Sequence, residues 1–531
     1  MGFCLAIILQ FAYRVQLNAL VMDESIYTNY PPQLSSEQQE YLVTATKDWA
    51  IQNGLAVRPS PAVLPKNADP NGVFATNAPV SLFPSPFPKV CFQEAQALQT
   101  VYNQLYAAIT CNEDWLGKII EDLTDVDDFV ANLWKTHLTV QKEGYVQDLS
   151  LGLYRSDYMA HVTPNNAPGL KQVEFNTISS SFGGLSALVR SLHTELLSTP
   201  LTYPPHPLLQ SGIPPDNTAV ETLSGGLAEA HKAYGPSKSS PGLPLCVLFI
   251  VQDGERNVFD QLALLKRLTG FHKVPTFRVK SNQILDQTSI PADNSSRPLI
   301  YHPPHFPESA FEVTTVYLRA YYSPDEYTSS RDWEARTHLE RSAAIKCPTV
   351  LNQLAGCKKI QQVLAEPTGP DHLSSFLKDV DPTIVARLRE TFAPQYDLSA
   401  GGQGRDLALN LETAMKHVLK PQREGGGNNV YKAEIPDFLR SLPESDWKGW
   451  VLMELINPAA NAENVALRND GEVLRGNVIS ELGVYGTILW EKTGKILHND
   501  EGGWLLRTKG KEVNEGGVAA GFSSLDSVLL Y

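Results

Sequence analysis

The segment VLKPQREGGGNNVYKAE, residues 418–434, sets a lysine, an arginine and a glutamate directly before three consecutive glycines. Three glycines in a row are costly in chain entropy, so the backbone must be bare there for a reason. A glycine-rich turn lets successive N–H groups point into one concavity and approach an anion with no Cβ in the way. On this reading Lys420 ends a strand and Gly425, Gly426 and Gly427 form the turn after it. Lys420 and Arg423 supply positive charge, and Glu424 holds a divalent metal against the same phosphates. The spacing is not that of a Walker A loop, and no helix opens at the third glycine as a dinucleotide fingerprint requires. Taken alone, the segment is equally readable as a flexible hairpin.

Four further clusters bear on the choice. In LKQVEFNTI (170–178) apolar alternation predicts a strand, on which Glu174 and Asn176 at i and i+2 leave the same face. A carboxylate and an amide oxygen aimed together suit Mg²⁺, which takes hard oxygen ligands and bridges to phosphate. Ser179, Ser180 and Ser181 with Gly183 and Gly184 make a polar loop directly downstream. In QDGERNVFDQ (252–261) a polar turn follows an apolar strand, with Glu255 and Asn257 in the turn and Gln261 one helical turn on. Open α/β sheets bind ligands at such strand ends. Arg319 closes the strand in VYLRAYYSP (316–324), and Arg507 and Lys509 precede a loop of glycines and alanines in LLRTKGKEVNEGGVAAG (505–521). Basic residues beside small ones would clamp a carboxylate and leave room for a small group. Each cluster alone reads as an ordinary turn or half-buried strand; five in one acidic chain point to a site.

The chain's 531 residues allow two or three domains. A net charge of −14 argues against a general nucleic-acid or membrane-surface binder, so anions must be held by local Lys and Arg clusters. Six cysteines without CxxC spacing fit free thiols in a reducing compartment, here the cytoplasm. MGFCLAIILQFAYRVQLNAL at the start has an apolar run of signal-peptide length but no basic residues before it, and is read as a mobile or helical extension. No other stretch is apolar for the roughly 18 residues that a membrane helix needs.

Patterning predicts an α/β chain. A helix opens at the Ser35-Ser36-Glu37 capping signature and stops at Gly54, and residues 91–145 are helical by three- and four-residue spacing. LCVLFIVQ after the turn-rich SKSSPGLP (237–244) is a buried strand. From there to about residue 357 strands and helices alternate as in a small parallel-sheet domain. HVLK, GWVLMELI and EVLRGNVISELGVYGTILW, in the final third, suggest an antiparallel sheet.

RSDYM (155–159), EFNTISSSFGGL (174–185), ERNVFDQ (255–261), QLAGCKKIQQVL (353–364), VLKPQREGGGNNVY (418–431), VLMELI (451–456), ISELGVYG (479–486) and LLRTK with EGGVAAG (505–521) resemble, in order, the eukaryotic glutathione synthetase family. The resemblance runs from about residue 80 to 521. It implies an ATP-grasp fold and a homodimer that joins γ-glutamylcysteine to glycine with ATP and Mg²⁺. The implied layout is an extension at 1–30, an ATP-grasp domain in two parts (31–243 and 358–531), and an inserted substrate-binding domain at 244–357. A glycine-rich lid would lie around 420–456 and an alanine-rich loop at 515–521.

Residue by residue, the resemblance makes Glu174, Asn176 and Glu424 the Mg²⁺ ligands. ATP would meet Glu174, Lys358, Lys420, Glu424, Gly425, Gly426, Gly427, Asn428, Asn429, Tyr431, Met453, Glu454, Leu455, Ile456, Glu481, Lys509 and Glu515. The peptide would meet Arg155, Ser179, Ser180, Ser181, Glu255, Arg256, Asn257, Gln261, Arg319, Tyr322 and Arg507, with Val518 and Ala519 in the closing loop. Arg155 and Arg507 are the expected catalytic cations. Two departures stand out: Arg319-Ala320-Tyr321-Tyr322 replaces the frequent Arg-Asp-Gly-Tyr, and Leu455 replaces a lysine where main-chain contact with adenine is expected. A ligase for β-alanine or serine would share the ATP residues but change the EGGVAAG loop, whose small Ala519 and Ala520 favour glycine. A non-catalytic nucleotide binder is expected to have lost a metal ligand or lysine, and every one is present.

Overall fold

A computed structural model describes residues 29–61, 63–163, 167–424, 427–458, 462–511, 518 and 523–531. The expected contacts of Gly425, Gly426, Glu515 and Ala519, and the extension up to residue 28, lie outside them.

The first described helix, Ser36–Asn53, starts and stops at the expected residues. Its capping box uses Gln38, whose N–H donates to Ser35 Oγ and whose side chain accepts from the Ser35 N–H; Glu37 only receives the Ser35 hydroxyl. The helical stretch after residue 88 is three helices, Lys89–Cys111, Glu113–Glu121 and Asp128–Glu143. Asn112 and Asp127 break it because each side chain accepts a backbone N–H from the turn that follows and so caps a new helix.

Three sheets carry the molecule. The central one runs in the order Glu463–Leu467, Val80–Ser81, Ser523–Asp526, Ile496–Gly510, Val473–Glu491, Leu149–Val162, Pro168–Asn176, and Glu463–Leu467 also pairs with the start of Val473–Glu491. Its long neighbours are antiparallel, so residues directly opposite share a face. Period-2 alternation then sorts the side chains. Tyr154, Tyr158, Phe175, Leu482, Val484 and Leu506 face the helix Lys89–Cys111 in one core, where Phe175 stacks on Tyr106 with ring centroids 3.9 Å apart. Their neighbours in sequence face the other way. At one end of that face Leu151, Leu153 and Leu505 pack under the helices Gly183–Ser198 and Ala219–Tyr234; at the other end the polar residues gather.

The second sheet contains the expected parallel strands Thr276–Lys280, Leu245–Val251 and Phe311–Arg319, and a fourth, Ile345–Cys347, in a stretch that the sequence pattern reads as the end of a helix; the helix stops at Arg341. It is mixed, since Leu299–Tyr301 and Thr288–Ser289 add an antiparallel edge that the sequence reading left out. These two- and three-residue strands are too short for a periodic signal. The strands of the final third do not form one sheet: His417–Pro421 and Trp450–Glu454 pair with Gln395–Asp397 and Val430–Tyr431 in a third sheet, while Val473–Glu491 belongs to the central one. The third sheet has a separate small core around Leu398, Leu419, Leu439, Trp447 and Leu452. Among the described residues no helix is long and apolar enough to cross a membrane.

Candidate active site

Where the three sheets meet lies a cavity of about 1090 Å³. The central sheet supplies its floor from four adjacent strands, because the register places Asn176 opposite Arg155, Glu174 opposite Asp157, Gly483 opposite Asp157, and Arg507 opposite Glu481. Gly483 is required by this packing. A Cβ there would stand 2.7 Å from Arg155 Cδ and 2.8 Å from Asp157 Oδ1.

At one end of the cavity, Lys358 Nζ lies 3.1 Å from Glu174 and 3.3 Å from Glu424. Burial alone would lower the Lys358 pKa, but the two carboxylates hold it well above the usual lysine range. Burial would raise Glu174; Lys358, Lys420 and Arg507 together pull it down to about 2. Glu424 is pushed up by burial and, despite Lys358, by the like charge of Glu174. Lys420 donates to Val173 O at 2.9 Å, and burial brings its pKa down to about 8. Two carboxylates and the Asn176 amide form an all-oxygen donor set next to lysines, which fits Mg²⁺ shared with phosphate oxygens.

Beyond Lys420 the wall turns apolar. Met453, Val418 and Ala393 form a small cluster with Tyr431, Leu455 and Ile456 packed against it, a slot suited to a flat aromatic base. The Leu455 N–H donates to Lys416 O at 2.8 Å, so this main-chain donor is engaged within the sheet. Glu454 lines the cavity with its carboxylate accepting from Tyr396 Oη at 2.7 Å.

The opposite wall is built for anions. Arg155 clasps Asp157 through Nε and Nη2 at 2.6 and 2.8 Å and donates Nη1 to Ser181 O. Arg507 pairs with Asp157 at 3.0 Å and with Glu481. Arg319 meets Asp260 at 3.1 Å and Ser181 Oγ at 2.9 Å. The same Asp260 accepts from the N–H groups of Phe182 and Gly184, tying the serine loop to the helix that follows. Ser179 adopts φ 52° and Phe182 φ 73°, and the loop is pinned by the Ser179 hydroxyl on Leu318 O and the Tyr485 hydroxyl on Ser181 O.

Most sequence-selected residues line this one cavity: Arg155, Glu174, Asn176, Ser179 to Ser181, Glu255 to Asn257, Arg319, Tyr322, Lys420, Glu424, Asn429, Tyr431, Met453 to Ile456, Glu481, Arg507, Lys509 and Val518. Gln261 stands behind the wall, donating to Glu255 and accepting from Arg278. Lys358 is buried beneath the two glutamates. Gly427, with φ 99°, and Asn428 are exposed and do not line the cavity. The replacement at Tyr321 keeps the backbone that glycine would have: φ is 71°. The strain of a non-glycine there is offset by Tyr321 N–H on Glu326 at 2.7 Å and by the Gln353 amide on Tyr321 O at 2.9 Å.

The sequence reading missed Asp157, Asp260 and Gly483, which touch no cavity ligand group by motif but hold those that do. Asp157 carried a signal, the same i, i+2 spacing from Arg155 that singled out Glu174 and Asn176. Lys416, Lys432 and Lys511 at the cavity edge had none.

The sequence profile described as eukaryotic glutathione synthase, ATP-binding domain, matches residues 36–530. Glutathione synthetase large chain of Schizosaccharomyces pombe is 38% identical over 512 residues, covering 93% of this chain and 98% of the relative. Glutathione synthetase of Homo sapiens is 38% identical over 504 residues, covering 94% and 99%. The solved apo structure of a glutathione synthetase-like effector from Globodera pallida superposes with a TM-score of 0.71 at 20% identity, covering 94% of this chain and 98% of that one, a likeness of fold.

Proposed function

The chain belongs to the eukaryotic glutathione synthetase family and is a ligase of glutathione synthesis; from that premise we propose that its cavity joins γ-glutamylcysteine to glycine through an acylphosphate, at the expense of ATP. The observation that carries the reading is the joining, in one cavity, of the Glu174–Lys358–Glu424 cluster to the Arg155–Arg507–Arg319 wall.

A carboxylate is a poor electrophile, so the cysteinyl carboxylate first takes the γ-phosphoryl group and ADP leaves; the glycine amine then attacks the acyl carbon and phosphate departs. Such chemistry asks the protein for position and charge neutralisation more than for a nucleophile. Glu174, Asn176 and Glu424 would hold Mg²⁺, which when bound neutralises phosphate charge. Lys420 and Lys509 face the phosphates while Lys358 supports them from beneath Glu174 and Glu424, and the Met453–Ile456 edge with Tyr431 takes the adenine. Arg319, the serine loop and Glu255 to Asn257 hold the dipeptide. Arg155 and Arg507 sit beside the carbon that becomes tetrahedral, where guanidinium N–H groups stabilise its oxyanion. The third sheet and its glycine turn serve as the ATP-grasp lid, and closure keeps water from the acylphosphate. Val518, buried in the core that borders the cavity, anchors the loop that limits the acceptor to a small amine. We further place the enzyme in the cytoplasm as a homodimer, in keeping with five described cysteines that are all free thiols.

The test is ADP release by purified protein given ATP, Mg²⁺ and γ-glutamylcysteine, with glycine present or omitted, and tripeptides read by mass spectrometry. Full turnover is expected only with both substrates. One extra methylene in the acceptor is expected to cost β-alanine about 10–200-fold against glycine. A preference for β-alanine, or turnover without γ-glutamylcysteine, overturns the proposal.

A further inference from the structure

Asp157 is fully buried in the strand Leu149–Val162, yet its carboxylate is shared by three residues of the cavity floor. Oδ1 accepts from Arg155 Nε at 2.6 Å. Oδ2 accepts from Arg155 Nη2 at 2.8 Å, Arg507 Nη2 at 3.0 Å and Asn176 Nδ2 at 3.0 Å. Two guanidinium groups thus converge on one oxygen. Burial and the charge of Arg155 both act to lower the proton affinity of Arg507, yet it is raised because Glu481 and Asp157 lie against it.

The Asn176 amide is oriented by the same group. One of its N–H donors goes to Asp157 and the other to Arg155 O at 3.1 Å. Both donors are committed away from the cavity, so the amide oxygen is the atom left to a metal. The neighbouring strand gives way to this arrangement, since Gly483 stands opposite Asp157 and any Cβ there would collide with the Arg155–Asp157 fork.

We propose that Asp157 is the positioning residue of the reaction: one buried carboxylate that sets both catalytic arginines at a common spacing and turns the Asn176 oxygen toward Mg²⁺. This rests on the function proposed above. Asp157 meets neither substrate; it acts through Arg155, Arg507 and Asn176, and so couples metal binding to oxyanion stabilisation.

The experiment compares wild type, Asp157→Asn and Asp157→Glu by calorimetric titration of ADP at several Mg²⁺ concentrations, by steady-state kinetics, and by circular dichroism. Outer-shell partners of metal ligands are worth about 10–100-fold in metal affinity or activity. Asp157→Asn is expected to keep its secondary structure, to need about 10–100-fold more Mg²⁺ for half-maximal ADP binding, and to lose kcat by a comparable factor. Asp157→Glu keeps the charge but displaces it by one methylene, and is expected to show the same two defects; it carries the test if the asparagine variant does not fold. A folded variant with wild-type Mg²⁺ dependence overturns the proposal, whether kcat holds or falls. If wild type itself binds ADP with no Mg²⁺ dependence, the proposed function fails instead.

Discussion

Replacing Lys420 by methionine separates the cost of the site from its use. Lys420 is 8% exposed, and burial brings its pKa from the ordinary 10.5 to about 8 even with Glu174 attracting it. At about 1.4 kcal/mol per pH unit, the protonated lysine costs the ligand-free fold roughly 3 kcal/mol. Methionine removes that cost and also removes the bond to Val173 O, whose loss costs about 1–3 kcal/mol if the carbonyl finds no other donor. Lys420→Met is therefore expected to be neutral or to stabilise the protein by up to about 2 kcal/mol near neutral pH. The sign with pH follows from a base whose folded pKa is depressed. Its penalty is complete below about pH 8, and is relieved as pH rises from about 8 toward 10.5, where only the unfolded chain still binds the proton. The advantage of the variant should shrink through that window. The assay is urea unfolding of both proteins at pH 7.5 and pH 9.5, with the melting shift induced by Mg²⁺ and ADP measured alongside. The variant should lose most of that shift, because the bound diphosphate loses a buried cation. A variant destabilised by about 2 kcal/mol or more near neutral pH, or a difference that does not change with pH, would refute the reasoning.

Gly483→Ala should destabilise the protein by about 1–3 kcal/mol through overpacking and lower kcat by displacing Arg155; unchanged kcat in a folded variant removes the argument from close approach. Glu424→Gln should abolish Mg²⁺-dependent turnover while shifting the unfolding midpoint little, since it relieves the like charge of Glu174 as it gives up an ion pair with Lys358; turnover at the wild-type rate contradicts the metal assignment. A chain starting at Met22 should fold and turn over normally, because it keeps every residue assigned to the site and keeps Tyr30, which is buried with its ring 6.4 Å from Phe83 and its hydroxyl on Pro84 O; a folded but inactive product speaks against it.

The sequence by itself determined the local and chemical side of this protein. Capping at Ser35 and Gly54, alternation in 170–178, and the coexistence of charge with bare backbone at 420–427 each depend on neighbours a few residues away, and all are legible in one dimension. So were most residues of the cavity, because their motifs are contiguous. Tertiary structure alone decided which strands share a sheet. HVLK and ISELGVYG look alike as apolar runs, yet they belong to different sheets, since pairing depends on partners up to hundreds of residues away. It also decided the supporting layer. Gly483 matters only because Arg155 and Asp157 cross beneath it, Asp260 only because Arg319 at the end of the strand Phe311–Arg319 reaches its helix, and Gln261 turned from a ligand candidate into a brace between Glu255 and Arg278. Lys420 presents the same distinction in energetic form. Its candidacy as a cation of the site is written in its motif, but the proton it holds loosely is a property of burial, which no local stretch of sequence contains.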